Sequence, residues 1–378
     1  MLYEIHMLKN YPPTNLNRDD TGAPKTCLFG GVNRGRISSQ CLKRSWRTSE
    51  LFRQEIGLEN LGIRTRHLPK LVCDRLAEMG IEEDKCLALL PKLTAFGNKD
   101  AQENKKGSYM PQVVFFAPQD IEAVADAVLP LLEKCQTAKQ VTALKAKDIT
   151  AAVTGANARP VSLDIALFGR MVTSNAFADV EASMQVAHAI STNKVVLESD
   201  YFTAMDDLLS GDTMEESGSA MIGDIDYNAS CYYIYASLDT DALRENLKYA
   251  EDPGLLVRKA IPALLRTMAL TNPSGKQNTF AGHTLPSAIL VECKNAKIPV
   301  SLANAFADPV RANREGDLVE NSIRRLSEEL GLMDRSFGIP VEKRLWFCVD
   351  KYAIAPSCES TICKTFPEMV EAVAQTLM

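Results

Sequence analysis

Residues 27–47 read CLFGGVNRGRISSQCLKRSWR. Gly30, Gly31 and Gly35 permit unusual backbone angles, so the first half reads as a short strand or hairpin. Ser38 and Ser39 are favourable N-caps for a helix over 40–56, QCLKRSWRTSELFRQEI, with Gly57 as its stop. Leu42, Trp46, Phe52 and Ile56 recur near helical spacing and are expected to face a core. A strand or hairpin feeding directly into an amphipathic helix sets the theme for the whole chain.

Working outward, 2–8 reads as a first strand, followed by a proline-bearing loop over 11–26. Residues 60–157 are mainly helical, with the clearest segments at 68–79, 83–93 and 118–135 and a polar, lysine-bearing loop near 97–109. The run SLDIALFG (162–169) reads as a buried strand, GRMVTSN (169–175) as a turn and ADVEASMQVAHAIS (178–191) as a helix. Strands follow at 229–238, 287–294 and 344–350, and helices at 255–270 and 318–330. Strands separated by helices, with long insertions and no repeat, define an α+β class, helices on one face of a sheet. A ferredoxin-like, RNA-recognition-motif-like core fits that pattern.

Composition narrows the chemistry. With 46% apolar and 24% charged residues in 378, the chain suits one core with large insertions or two domains. No apolar run approaches the ~20 residues of a membrane span, and the N-terminus lacks a signal-peptide pattern. A cytoplasmic protein with no membrane partner is expected. Ten cysteines are scattered without a CxxC, and only four histidines accompany them, so no metal site and no cofactor are expected. Gly30–Gly35 lacks both the Gly-Lys-Ser/Thr ending of a phosphate-binding loop and a GxGxxG spacing. No catalytic triad or paired-carboxylate signature emerges, and His188, within the apolar VAHAI, reads as a core histidine.

Net charge is −6, yet Lys25 to Arg53 holds seven basic residues and one acid, net +6 in 29 residues. A polyanion responds to local potential, so this asymmetry points to nucleic acid. On a helix starting near Ser39, Gln40, Lys43, Arg44 and Arg47 fall at i, i+3, i+4 and i+7 and form one cationic stripe. Arg34 and Arg36 arrive from the hairpin just upstream, and the helix start favours an anion. Arg170 and Met171, after the 162–169 segment, suit a phosphate contact and an apolar wedge, or equally a surface Arg and a packing Met. Residues 195–228 carry nine acids and no Lys or Arg, broken by glycines and serines, and read as a projecting excursion. Within it Tyr201, Phe202 and Met205 offer stacking or wedging surfaces for bases; Asp206 and Asp207 read as solvated acids, not metal ligands.

These segments also carry a resemblance. Asn15–Asp20 (NLNRDD), Phe29–Gly31, Arg36–Arg44 (RISSQCLKR), Asp164–Met171 (DIALFGRM), Ala187–Ile190 (AHAI), Asp200–Asp207 (DYFTAMDD), Gly275–Gln277 (GKQ) and Ser301–Phe306 (SLANAF) are similar, in order, to the type I-E CRISPR Cascade backbone subunit family (CasC). Residues 60–157 and the C-terminal tail resemble it least. The resemblance implies a hand-like fold: palm at 1–59, 158–190 and 229–378, helical fingers at 60–157, and a thumb at 191–228. It implies a non-catalytic protein that stacks with neighbouring copies along a CRISPR RNA, alongside other Cascade subunits. Target DNA would pair with the guide, and a separately recruited nuclease-helicase would cut it. By residue match Arg18, Lys25, Ser38, Gln40, Lys43, Arg44 and Arg47 would hold guide phosphates, Met171 would wedge at the bases, and Phe202 would pack at each kink; Lys276 falls in the GKQ motif. Tyr201 stands where the family often has Trp. Two rivals stay open on the residues alone, an endoribonuclease of the same broad fold and a protein–protein scaffold.

Overall fold

The computed structural model describes residues 1–97, 109–154, 161–172, 177–204, 221–314 and 316–377. The chain forms two compact units, one of Met1–Ser49, Val186–Ser237 and Leu264–Met378, the other of Glu50–Gln185 and Leu238–Ala263. Residues 161–185, assigned to the palm from sequence, therefore belong with the helical unit. Strands β1 (Leu2–Thr14), β2 (Thr26–Phe29), β3 (Val32–Ile37) and helix α1 (Ser39–Arg47) open the first unit. The second takes α2 (Glu50–Ile56), β4 (Ile63–Thr65), α3 (Leu68–Glu78), α4 (Glu83–Leu93), β5 (Val114–Phe116), α5 (Pro118–Glu133), α6 (Ala138–Ala143), α7 (Ala146–Thr154) and α8 (Leu163–Phe168). Then come β6 (Met184–Val186), β7 (Ala189–Ser191), β8 (Glu198–Ala204), β9 (Met221–Asp239), α9 (Thr240–Asn246) and α10 (Pro253–Leu270). The C-terminal part holds α11 (Gln277–Phe280), β10 (Pro286–Lys294), α12 (Leu318–Phe337), β11 (Lys343–Cys348), β12 (Thr361–Cys363) and α13 (Phe366–Gln375).

The class is mixed α+β, as the strand and helix pattern indicates. The first unit is built on a sheet ordered β12-β11-β10-β1-β9-β7-β3-β2, with β8 paired antiparallel to the start of β9. Alternation along β1 and β10 sends Leu8 and Leu290 to one face, where Trp346 of β11 and Tyr233 of β9 join them. Val319, Ile323, Leu326 and Leu330 of α12, spaced four, three and four apart, cover that face. Each such burial stabilises by about 1.5–3 kcal/mol. At the end of the same face Glu4 and Glu292 stand directly opposite each other. Lys294 lies 3.2 Å from Glu292 and also bonds Glu4, Arg344 reaches Glu292 at 2.7 Å, and the Tyr235 hydroxyl donates to Glu4 at 2.5 Å. Burial holds the neighbouring His6 below its ordinary pKa, its Nδ1 paired with Tyr233 at 2.8 Å.

In the second unit Leu68, Val72 and Leu76 of α3, Cys86, Leu89 and Leu93 of α4 and Val124, Val128 and Leu132 of α5 fill one core. Phe177 closes it, edge-on to Phe96 and Phe116 at 6.0 and 5.0 Å. Among the described residues no helix is long and apolar enough to cross a membrane.

Three expectations are corrected. The helix over 40–56 divides after Arg47, because the Thr48 N–H and hydroxyl both return to the Arg44 carbonyl and the Ser49 hydroxyl caps that of Trp46. Residues 163–168 form helix α8, not a strand, with its sole glycine stop at Gly169 (φ +81°). The 178–191 segment gives short strands β6 and β7, not a helix, since β7 fills the place between β3 and β9.

Lys9 is fully buried at the end of α10, donating to the Ala269 and Thr271 carbonyls at 2.9 Å each. A cation suits a helix C-terminus, yet burial pulls its ammonium down to about 7. The unfolded chain keeps that proton to higher pH, so folding gains stability as pH rises from 7 towards the unfolded value. Urea denaturation is therefore expected to show wild type gaining on Lys9→Met between pH 7 and 8.5. A constant difference between the two proteins would remove this assignment.

Candidate nucleic-acid interface

Helix α1 starts where Ser38 Oγ accepts the Cys41 N–H at 3.3 Å, so the hydroxyl named as a phosphate ligand is the N-cap. Asn17 Oδ1 in turn accepts the Ser38 N–H at 2.9 Å, fixing the entry of the chain. Leu42 and Trp46 are buried to 2% and anchor one side of the helix. Gln40 and Arg44 lie exposed on the other, with Lys43 and Arg47 half-buried beside them.

Arg44 opens onto a cavity of about 570 Å³, lined by Arg18 and Asp19 on one loop, by Cys41 and Ser45 on α1 and Thr48 just after it, and by Asn272 and Gly275 on another loop. The first loop is preorganised by Asp19 Oδ1, which accepts from Thr21 N, Thr21 Oγ1 and Ala23 N at 2.9, 2.7 and 3.1 Å. Those bonds, the Thr21 hydroxyl first, hold its carboxyl below the usual range. The other loop closes on it because Gly275 has no side chain: a Cβ there would stand 2.3 Å from the Leu16 carbonyl oxygen. The next residue, Lys276, sits at φ +49°, a left-handed conformation costly for a non-glycine residue. Arg18, Arg44 and the GKQ turn, remote in sequence, thus meet at one cavity.

The hairpin β2–β3 separates its two arginines. Arg36 and Lys25 are neighbours, since the Arg36 N–H donates to the Lys25 carbonyl at 2.8 Å. Burial raises the Cys41 thiol, and the charges of Lys25 and Arg44 pull it back down. Arg34 is a correction. It is fully buried, and its guanidinium donates to the carbonyls of Phe29, Ser191, Thr192, Phe306 and Ala307 at 2.7–3.3 Å. No donor remains for a phosphate.

In the second unit Arg170 is likewise corrected. It is 8% exposed, bonded to Asp120 at 2.6 Å and to the carbonyls of Phe115 and Ala178 at 3.3 and 3.2 Å. Met171 beside it is 90% exposed, which suits the wedge reading. On the β8–β9 hairpin Tyr201 is 64% exposed, while the Phe202 ring lies over Gly223, its cross-strand partner. Met205, Asp206, Asp207, Asp212, Glu215 and Glu216, together with Lys99, Lys105 and Lys106, lie outside the described residues.

His188 is the residue that sequence reading misplaced. It is exposed, not core, and its Nδ1 stands 3.1 Å from Arg36 Nη1. Burial lowers its pKa first, and the charges of Arg36 and Lys25 lower it further. The other titratable cluster, around His6, Glu4 and Glu292, is closed to solvent, each member at most 3% exposed.

Solved structures share this fold, and two of them illustrate it. One, described as a CRISPR RNA-guided surveillance complex, pre-nicking, matches with a TM-score of 0.82 at 24% sequence identity over 100% of both chains. Another, described as a CRISPR RNA-guided surveillance complex, matches with 0.63 at 20% identity, again over 100% of both chains. The fold is thus of the class found in chains of such surveillance complexes. The chain belongs to the CT1975-like protein family, a Cas family whose profile matches residues 3–372. No significantly similar sequence is found among curated proteins.

Proposed function

We propose that this chain is a non-catalytic backbone subunit of a type I-E Cascade surveillance complex, which polymerises along CRISPR RNA and presents it for pairing with target DNA. The observation that carries the reading is the meeting of Arg18 and Arg44 at one cavity, with Lys43 and Arg47 on the same helix as Arg44 and Arg36 beside Lys25 on the chain leading into it, in a chain of net charge −6. Cations that neutralise phosphates read no sequence, so any guide can be carried and specificity passes to Watson–Crick pairing. In this reading the first unit is a ferredoxin-like palm, the helical unit the fingers, and the β8–β9 hairpin part of the thumb. Phe202 on that hairpin would pack at each kink with Tyr201 beside it, and Met171 of the helical unit would wedge at the bases. Neighbouring copies, other Cascade subunits and a recruited nuclease-helicase complete the expected set of partners, in the cytoplasm. The rival reading is an endoribonuclease of the same broad fold, which would need an open acid–base pair.

The test is the salt dependence of RNA binding. The logarithm of affinity should fall against the logarithm of salt concentration with a slope of roughly −0.7 per neutralised phosphate, hence about −3 to −4 if most of the six cations engage. A slope near zero would sink the proposal. Incubation of labelled CRISPR RNA with the protein and a divalent metal should leave the RNA intact, and specific cleavage would favour the endoribonuclease.

A further inference from the structure

We propose that His188, Arg36 and Lys25 form a phosphodiester-binding site in which a phosphate settles between the Arg36 guanidinium and His188 Nδ1, and Nδ1 takes up a proton and donates it to a phosphate oxygen. This deepens the guide-binding reading and rests on it. The site begins with donor accounting. An arginine can only donate, so the 3.1 Å contact from Arg36 Nη1 makes His188 Nδ1 the acceptor and leaves the ring proton on Nε2. Arg36 Nε is used by the Thr26 carbonyl at 3.3 Å, while Nη2 makes no hydrogen bond among the described residues. Nδ1 and the guanidinium therefore face each other at the surface across one hydrogen bond, the ring N–H on Nε2 points away from Arg36, and the Lys25 charge acts on the same ring.

The surroundings say which ligand fits. The charges acting on His188 are Arg36 from β3 and Lys25 from the preceding loop, both cationic. On β9, across β7, the tyrosine hydroxyls are turned elsewhere, Tyr233 to His6 and Tyr235 to Glu4. Cys27 on β2 is a raised thiol and carries no charge at neutral pH. An imidazole between two cations with no carboxylate at hand resists protonation, and an anion reverses that balance. When a phosphate accepts the Arg36 guanidinium, Nδ1 is released and becomes free to take a proton. The proton is taken up onto Nδ1 from bulk solvent, as hydronium or buffer acid, with no bond made or broken at phosphorus. A second cationic donor then faces the same phosphate.

RNA binding should accordingly tighten as pH falls, and the tightening should belong to His188. The measurement is fluorescence anisotropy of labelled oligo(U) RNA with the full chain at pH 6.0 and 8.0 and fixed ionic strength, for wild type and His188→Gln. Lys9, which also titrates near neutrality, is common to both proteins. Wild type is expected to bind about three- to tenfold more tightly at pH 6.0, and His188→Gln to lose most of that gain while melting at the same temperature. As a second readout, the His188 ring resonances should titrate at higher pH in the presence of oligo(U); with four histidines in the chain, His6, His67 and His283 serve as references. Equal pH dependence in both proteins, or a His188 titration unmoved by RNA, would overturn the proposal while leaving guide binding intact. Wild type that binds no RNA at either pH would overturn both.

Discussion

Lys43→Ala/Arg44→Ala/Arg47→Ala is expected to lose co-purifying guide RNA while keeping its fold. Leu42 and Trp46, on the opposite side of α1, carry the packing at 2% exposure each, and alanine is the strongest helix former. Exposed charge contacts are weak singly, so about 1 kcal/mol each is a fair allowance for a partly hydrated phosphate pair. Three together reach about 3 kcal/mol, a loss of roughly 150-fold in affinity. The salt slope should shrink by about 2, from the loss of three phosphate contacts on a single strand. The measurement is the absorbance ratio and extracted nucleic acid of protein co-expressed with a CRISPR array. Uniform-length RNA with wild type and none with the variant is the expected pair of results. RNA retained at full stoichiometry by a folded variant would move the guide off this helix.

Why α1 was legible and its neighbours were not is a matter of contact range. The helix announces itself through local chemistry: two serines, a cationic stripe at i, i+3, i+4 and i+7, and apolar residues off the stripe. The helical unit was equally plain, since α3, α4 and α5 each repeat apolar residues at helical spacing. The six residues of α8 are apolar with one exception, Asp164, and such a short run has no period to read. The 178–191 segment has small residues a helix tolerates, and only pairing with β3 and β9 makes it strand. Site residues divide the same way. Arg34 and Arg36 stand two apart on β3, where period-two alternation treats them alike. What separates them arrives from 157 and 272 residues away, the carbonyls of Ser191 and Phe306. His188 was lost with the mistaken helix, because an apolar helix face would have buried it, whereas the position just before the short strand β7, whose first residue Ala189 pairs with Ile37, exposes it.

Arg34→Met is expected to destabilise the first unit by on the order of 3–5 kcal/mol, since several carbonyls lose their donor at about 1–3 kcal/mol for each one left buried and unsatisfied. The side chain is a clamp. It ties the β2–β3 hairpin through Phe29, the end of β7 through Ser191 and Thr192, and the 3₁₀ turn Ala303–Phe306 with its successor Ala307. Gly30 enforces the same closeness, sitting at φ +60° where a Cβ would overlap the Ala307 carbonyl at 1.6 Å. Methionine matches the length of the stem but supplies no donor, so these carbonyls lose their shared partner in a site without water access. A lysine in its place has three donors on one nitrogen and cannot span acceptors arrayed around a planar fork, so Arg34→Lys should recover only part of the loss. The stability of a whole protein is about 5–15 kcal/mol, which makes insoluble or partly unfolded protein a realistic readout for Arg34→Met. Urea denaturation of RNA-free protein separates this role from phosphate binding, because a guide ligand would be dispensable without the guide. A midpoint equal to that of wild type would return Arg34 to the interface, whereas an early transition with Arg34→Lys in between would make the clamp the reason that the hairpin can hold Arg36 out towards the guide.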